Sequence, residues 1–376
     1  MKKALILGTN AGQADIIDYL NETGWETHAC GHQRVGPGCD RAGYFHLVDT
    51  TDVDAVKKLA AEIGADIVYS VSSDSAITSA TKVSEALNLP CLLGSDMIEL
   101  FNNKNAFREF LNRNGIGNTK YLALKDEEVN SVRWDVYPCV VKPSNSQGQR
   151  GVTLVNEPKS LDTAVQNAFK YTTNGEIIIE EYLDGYEFST NVVVQNGEIL
   201  LNQFSDRIVF SDEFFGLPKG HRIPVSYLSA RQLQVADGYV KAIIKELDIK
   251  DAVLYIQMRL KDGEPRVIEI APRLDGCHIW RLIKHVSGID LREYAIKCLL
   301  HDPIDRIDGC ASQVSETTHS VLEFYHLPSL DLFDTNKLEL KPLAAHTEFR
   351  YIDGETILPI NGKLEVVGYC IYDEIK

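Results

Sequence analysis

The chain reads as an α/β domain built on a parallel sheet (residues 1–96), then an α+β domain (97–310) and a small β-rich unit (311–376). Three observations predict this. Strand-like and helix-like segments alternate up to about residue 96, the pattern of a parallel sheet covered by helices. The pattern then changes to strands and hairpins with fewer helices, an α+β signature. A length of 376 residues is also enough for two or three domains.

Along the first region, KALILG, ETHACG, ADIVYSVSS and PCLLG are strand candidates, and QADIIDYLNETG, VDAVKKLAAEIG and AITSATKVSEALN carry helical spacing. Two loops follow strands: Gly8–Gly12 (GTNAG) and Ser72–Ser73–Asp74. That is the edge at which open α/β sheets bind ligands. GTNAG is not G-x-G-x-x-G, so a nicotinamide dinucleotide is disfavoured. A helix is expected from Asp96 to Asn114, carrying Lys104. Strands follow in YPCVVKP, GVTLV, EIIIEEYL and EFSTNVVVQNGEILLNQFS, and then the helix QLQVADGYVKAIIKELD. From Val253 to Gly276, two apolar runs flank a Lys-Asp-Gly-Glu-Pro turn, which predicts a β-hairpin. A turn centred near Gly263 sets Gln257 opposite Glu269, with Arg273 two strand steps beyond Glu269. HSVLEFYHLP, AAHTEFRYID and KLEVVGYCIYDEIK make the terminal unit β-rich.

Composition narrows the function. A hydrophobic share of 44% and a charged share of 24% are ordinary for a globular protein. A formal net charge of -16 argues against a nucleic-acid or anionic-membrane surface, while leaving room for a local basic pocket. The opening MKKALILGTNAG has too short an apolar run for a signal peptide or a membrane span. Eight scattered cysteines with no C-x-x-C pair fit reduced thiols in a cytoplasmic protein.

Three segments carry candidate chemistry. Lys142 ends an apolar strand and is followed by PSNSQGQRGV, a polar loop with backbone N–H groups able to cradle phosphate, with Arg150 as a second cation. An exposed loop beside an incidental lysine is the alternative. In IIIEEYLDGYEFS, a strand ending in acids, a tyrosine and a leucine offers backbone groups to a purine edge, and Glu187 offers a carboxylate to ribose hydroxyls. Surface acids flanking a strand are the alternative there. Glu269, a carboxylate in an apolar strand, needs a partner. That partner is a cation such as Mg²⁺, which favours a few hard oxygens together with phosphate oxygens, or an ion pair with Arg273.

Taken in order, VVKPSNSQGQRGV, IIIEEYLDGYEFS and YIQMRLKDGEPRVIEIAPRLDG, with NNKNAFREFL around Lys104, resemble the ATP-grasp superfamily of carboxylate–amine ligases. The resemblance implies a Rossmann-like pre-ATP-grasp domain, an ATP-grasp domain and the terminal unit. It implies that Lys104 and Lys142 bind ATP and that residues 144–151, with Ser144, Ser146, Gln147, Gly148 and Gly151, cover the phosphates. It further implies that Glu180, Glu181 and Leu183 form the adenine hinge, that Glu187 holds the ribose, and that Gln257 and Glu269 ligate Mg²⁺, with Mn²⁺ as a substitute. Arg273 matches an arginine near the transferred phosphate, and His278 is a weaker substrate contact. Arg207, His221, Arg222 and Trp280 are further pocket candidates. Many relatives have Asn where this chain has Ala271, so one metal-ligating oxygen is missing. The implied reaction joins a small-molecule carboxylate and an amine through an acylphosphate, releasing ADP and phosphate. An ATP-binding module without ligase activity, a carbamoyl-phosphate-synthetase-like phosphorylating enzyme and a Rossmann-type oxidoreductase are the alternatives. Relatives also suggest a homodimer.

Overall fold

The protein is described by a computed structural model covering residues 1–125, 132–145, 150–210, 216–305, 307, 318–359 and 364–375. The first unit alternates β1 (Lys3–Leu7), α1 (Ala11–Glu22), β2 (Glu26–Gly31), α2 (Gly38–Arg41), β3 (Tyr44–Leu47), α3 (Val53–Ile63), β4 (Ile67–Tyr69) and α4 (Asp74–Leu87). Its strands are all parallel in the order β3-β2-β1-β4. Central β1 buries Ala4, Leu5, Ile6 and Leu7 completely, as a strand covered on both faces requires. Asn10, Asp52 and Ser73 cap α1, α3 and α4 through side-chain oxygens that accept backbone N–H groups.

Two expectations are corrected here. PCLLG is not a strand: residues 89–94 form an irregular connection between α4 and α5 (Ser95–Asn102). The single helix expected over Asp96–Asn114 is two, because α5 stops at Asn103 and α6 (Lys104–Arg113) starts there. Asn103 has extended backbone, and its Oδ1 accepts from Asn105 N at 3.1 Å and Ala106 N at 3.2 Å. That side chain satisfies first-turn donors that a continuous helix would have bonded internally. Lys104 therefore sits at a helix start rather than in mid-helix.

A small sheet follows, built from β5 (Tyr121–Lys125), β6 (Cys139–Pro143), β7 (Thr153–Val155) and β8 (Glu176–Glu181), in the order β5-β8-β6-β7. Helix α7 (Leu161–Phe169) covers it, and Val141, Val165, Ile177 and Ile179 form its core with no exposure. The chain then builds β9 (Glu187–Gln195), β10 (Glu198–Val209), β11 (Pro218–Ile223), α8 (Ala230–Glu246), β12 (Ala252–Lys261), β13 (Glu264–Ala271), α9 (Ile279–Ser287), α10 (Leu291–Leu300), β14 (Thr318–Pro328), β15 (His346–Phe349) and β16 (Leu364–Ile375). These strands form one eight-stranded sheet in the order β13-β12-β9-β10-β11-β14-β16-β15. The terminal strands thus extend the sheet begun at β9, through β11 paired with β14.

The first unit is fastened to this sheet through Asp15 of α1, which is 1% exposed. Arg281 grips its carboxylate with Nε at 2.9 Å and Nη2 at 2.5 Å, and Trp280 Nε1 donates at 3.0 Å. The His278 and Arg281 hydrogen bonds overcome the opposing effect of burial and hold the Asp15 carboxyl well below the usual carboxylate range.

Candidate functional site

Register across the large sheet builds one face of the site. Glu269, Gln257, Ser189 and Ser205 lie side by side across β13, β12, β9 and β10. The next row on the same face is Ala271, Tyr255, Asn191 and Gln203. Arg259 lies opposite Glu187, and Arg207 opposite His221. A polar lane therefore crosses this face of the sheet. The hairpin register is the one expected, with a bulge between Gln257 and Met258. The expected environment of Glu269 is not found: the residue is exposed on the lane, and no ion pair to Arg273 forms.

The two candidate lysines lie on other elements, Lys104 opening α6 and Lys142 in β6. Lys142 ends β6, and its ammonium pairs with Glu180 of β8, whose Oε1 accepts from Arg108 Nε at 2.7 Å. Burial pushes the Glu180 carboxyl up, but Arg108 and Lys142 outweigh it and hold the group at about 2. Burial and the Lys142 charge lower the Lys104 ammonium to about 8, against the pull of Glu269, Glu180 and Asp74. Lys142, Glu269, Glu180 and Asp74 thus all lie within electrostatic reach of Lys104.

The remaining sequence-derived residues fall as follows. Ser144 is fully buried; its Oγ donates to Asn174 at 3.0 Å and its carbonyl accepts from Lys104 N at 2.9 Å, so it anchors the lysine. Gly151 has φ +74°, and a Cβ there would come within 2.9 Å of Pro143 and Tyr171, which restricts the position to glycine. Ser146, Gln147 and Gly148 lie outside the described residues. Glu180 pairs through its backbone with Tyr121 and Val140, so only its carboxylate faces the site. Glu181 N donates to Lys120 O at 3.0 Å and Tyr182 N to Pro138 O at 3.0 Å.

Glu187, 8% exposed, is clamped by Arg207 and by Arg259 Nη1 at 3.2 Å, and Gln257 Nε2 approaches at 3.4 Å. That orientation turns Gln257 Oε1 away from the acid. Arg273 Nε donates to Asp74 Oδ1 at 2.6 Å, across 199 residues of sequence. His278, 2% exposed, approaches Asp15 at 3.4 Å and stacks on Tyr369 with centroids 4.7 Å apart. This corrects the substrate-contact expectation: His278 and Trp280 belong to the interdomain fastening. Arg222 pairs with Asp206 at 3.0 Å, and burial together with Arg207 pulls the His221 imidazole down to about 3.

Residues missed from the sequence are Arg108, Arg259, Asp74 as a partner of Arg273, and Asp15. Arg108 and Asp15 are charged residues in amphipathic helices, where such residues ordinarily face solvent, and only burial marks them. The GTNAG loop is packed over by its own chain: Gly38 N donates to Thr9 O at 2.9 Å, and a Cβ on Gly36 would meet that oxygen at 2.4 Å. This close packing disfavours a dinucleotide there. The seven described cysteines are all free.

The sequence model of the ATP-grasp domain matches residues 135–280. The carbamoyl phosphate synthase large chain of Methanothrix thermoacetophila is 26% identical over 326 residues, covering 79% of this chain and 29% of that protein. The chain thus spans about a third of the length of the curated relatives it matches. L-amino acid ligase from Bacillus licheniformis superposes with a TM-score of 0.79 over 100% of this chain and 94% of that one, at 19% identity. The biotin carboxylase domain of 2-oxoglutarate carboxylase from Hydrogenobacter thermophilus, a complex with MgADP, ADP and bicarbonate, gives 0.79 over 98% and 85%, at 17% identity. At these identities the two likenesses are likenesses of fold.

Proposed function

We propose, from the ATP-grasp domain that this chain carries over residues 135–280, that the protein is an ATP-dependent carboxylate–amine ligase. The observation that carries this reading is the shared electrostatic neighbourhood of Lys104, Lys142, Glu180, Glu269 and Asp74. Two cations suited to phosphates face an exposed carboxylate suited to a metal.

The donor set fits a hard divalent cation. Glu269 is exposed, and the contact of Gln257 Nε2 with Glu187 leaves the amide oxygen for the lane. Ala271 has no donor atom, and water completes the coordination shell of such an ion. Bound there, Mg²⁺ or Mn²⁺ supplies charge neutralisation at the phosphates. Lys142, steadied by Glu180, and Lys104 orient ATP. Arg273, held by Asp74, faces the transferring group. In the proposed reaction the substrate carboxylate takes the γ-phosphoryl group as ADP leaves, and an amine then displaces phosphate to form the amide.

The test is ADP release from Mg-ATP with pooled amino acids and small carboxylates, deconvoluted afterwards. Release that requires both a carboxylate and an amine is the expected result. No release, with Mg-ATP still raising the melting temperature, would favour an ATP-binding module, the reading that Ala271 supports.

The two-lysine site also carries a pH dependence. The phosphate-binding form of Lys104 is the ammonium, which in the free enzyme is lost as pH rises through about 8. The second-order rate constant for ATP is therefore expected to fall on the alkaline side of about 8. Lys104→Arg keeps its charge there and flattens that limb. An unchanged alkaline limb in the variant would separate Lys104 from ATP binding.

A further inference from the structure

The proposed reaction leaves open what recognises the substrate, and the far end of the large sheet supplies a group for it. Residues His346, Glu348 and Arg350 have the same parity along β15 and its continuation. The first two meet Arg281, with Nη1 3.1 Å from His346 and Nη2 3.2 Å from Glu348. Tyr369, paired with Glu348 across the strands, stacks on His278, the residue after Cys277. Arg350 N donates to Val367 O at 2.8 Å, which fixes the backbone where the strand ends. Through the Tyr369–His278 stack the β15–β16 pair lies beside His278, in the segment that follows Arg273.

The charges in this corner are unequal in their partners. The guanidinium groups of Arg207, Arg350 and Arg273 all lie within electrostatic reach of the Cys277 thiol. Arg207 is bonded to Glu187, and Arg273 to Asp74. Glu348, the nearest acid on the Arg350 strand, is held by Arg281 and by Tyr369, whose hydroxyl donates at 2.9 Å. Among the described residues the Arg350 side chain makes no hydrogen bond or ion pair, and the residue is exposed. Desolvation nevertheless pulls its guanidinium below the ordinary value. Gly276 is exposed and Cys277 half-buried beside it.

We propose that Arg350 is a specificity-determining residue that binds a carboxylate of the substrate which is not consumed in the reaction, the α-carboxylate of an amino acid serving as the amine. The inference rests on the ligase reading. The reacting carboxylate belongs beside Arg273 and the lysines, whereas Arg350 stands beyond them on a different segment. A fork of donors with no acid partner among the described residues matches a spectator carboxylate.

The test uses the full chain with Arg350→Ala and Arg350→Lys. With Mg-ATP and the pooled amino acids, Arg350→Ala is expected to raise KM for the amine substrate about 10- to 100-fold, with KM for ATP unchanged. Arg350→Lys restores part of the loss. The carboxamide of the same amino acid is a correspondingly poor substrate for the wild type, and Arg350→Ala does not discriminate against it further. Amine KM values unchanged in Arg350→Ala, with pool-dependent ADP release intact, would overturn the subsite and leave the ligase reading standing. The second measurement is the melting temperature with the amino-acid pool and a non-hydrolysable ATP analogue. A pool-induced rise lost in Arg350→Ala, without ADP release in the wild type, would support the subsite and count against the ligase. Neither release nor a rise would overturn both.

Discussion

Glu269→Ala is expected to lower ADP release by about a hundredfold or more, the cost of removing one charge-stabilising group from a phosphoryl-transfer site. Glu269 is exposed and bears no ion pair to Arg273, so the variant is expected to melt within about 2 °C of the wild type. The two readings together separate chemistry from folding. A further signature is a shifted metal requirement: a higher Mg²⁺ concentration should be needed for half-maximal turnover in any activity that remains. Wild-type-like turnover would remove Glu269 from the metal set and with it the proposed role of the hairpin.

The largest stability effect is expected at Glu180. Its side chain is 7% exposed and lies between Arg108 and Lys142, with side chains 3% and 12% exposed. Glu180→Ala leaves two cations without their counter-charge, which typically costs about 3–5 kcal/mol for a buried pair broken on one side. Urea denaturation would measure it. The pH dependence follows from the same group: its folded value lies at about 2, below the ordinary 4.5. The stabilisation is therefore fully present above about pH 4.5 and is lost as pH falls towards about 2, a loss that the variant does not show. Equal acid sensitivity in wild type and variant would mean that the triad contributes little. Because Lys142 depends on Glu180 for its position, the variant is also expected to bind ATP more weakly than its residual fold would suggest.

Several features were legible without coordinates because they depend on neighbours in sequence. The Lys-Asp-Gly-Glu-Pro turn set the register that places Gln257 beside Glu269, and apolar alternation set the parallel sheet of the first unit. The succession of Lys104, Lys142, the IIIEEYL strand and the hairpin marked the segments proposed to bind nucleotide. Other features depend on packing. No local pattern distinguishes Arg108 from the neighbouring Arg113, yet Arg108 is 3% exposed and Arg113 stands in solvent. Asn103, one of three asparagines within four positions, reads as a helix residue until its side chain is seen to cap the next helix.

By itself the sequence determined the strand–helix alternation of the first unit, the hairpin register and the order of the segments proposed to bind nucleotide. These follow from side-chain period, turn chemistry and residue type, all short-range properties. Only the tertiary structure decided the charge partners: Arg273 with Asp74, Glu187 with Arg207 and Arg259, Asp15 with Arg281, and Arg350 with none among the described residues. It also decided that the terminal strands complete the same sheet as the site. Electrostatic pairing in a fold is set by distance through space and by exclusion of water. Neither quantity is written in the spacing of residues along the chain.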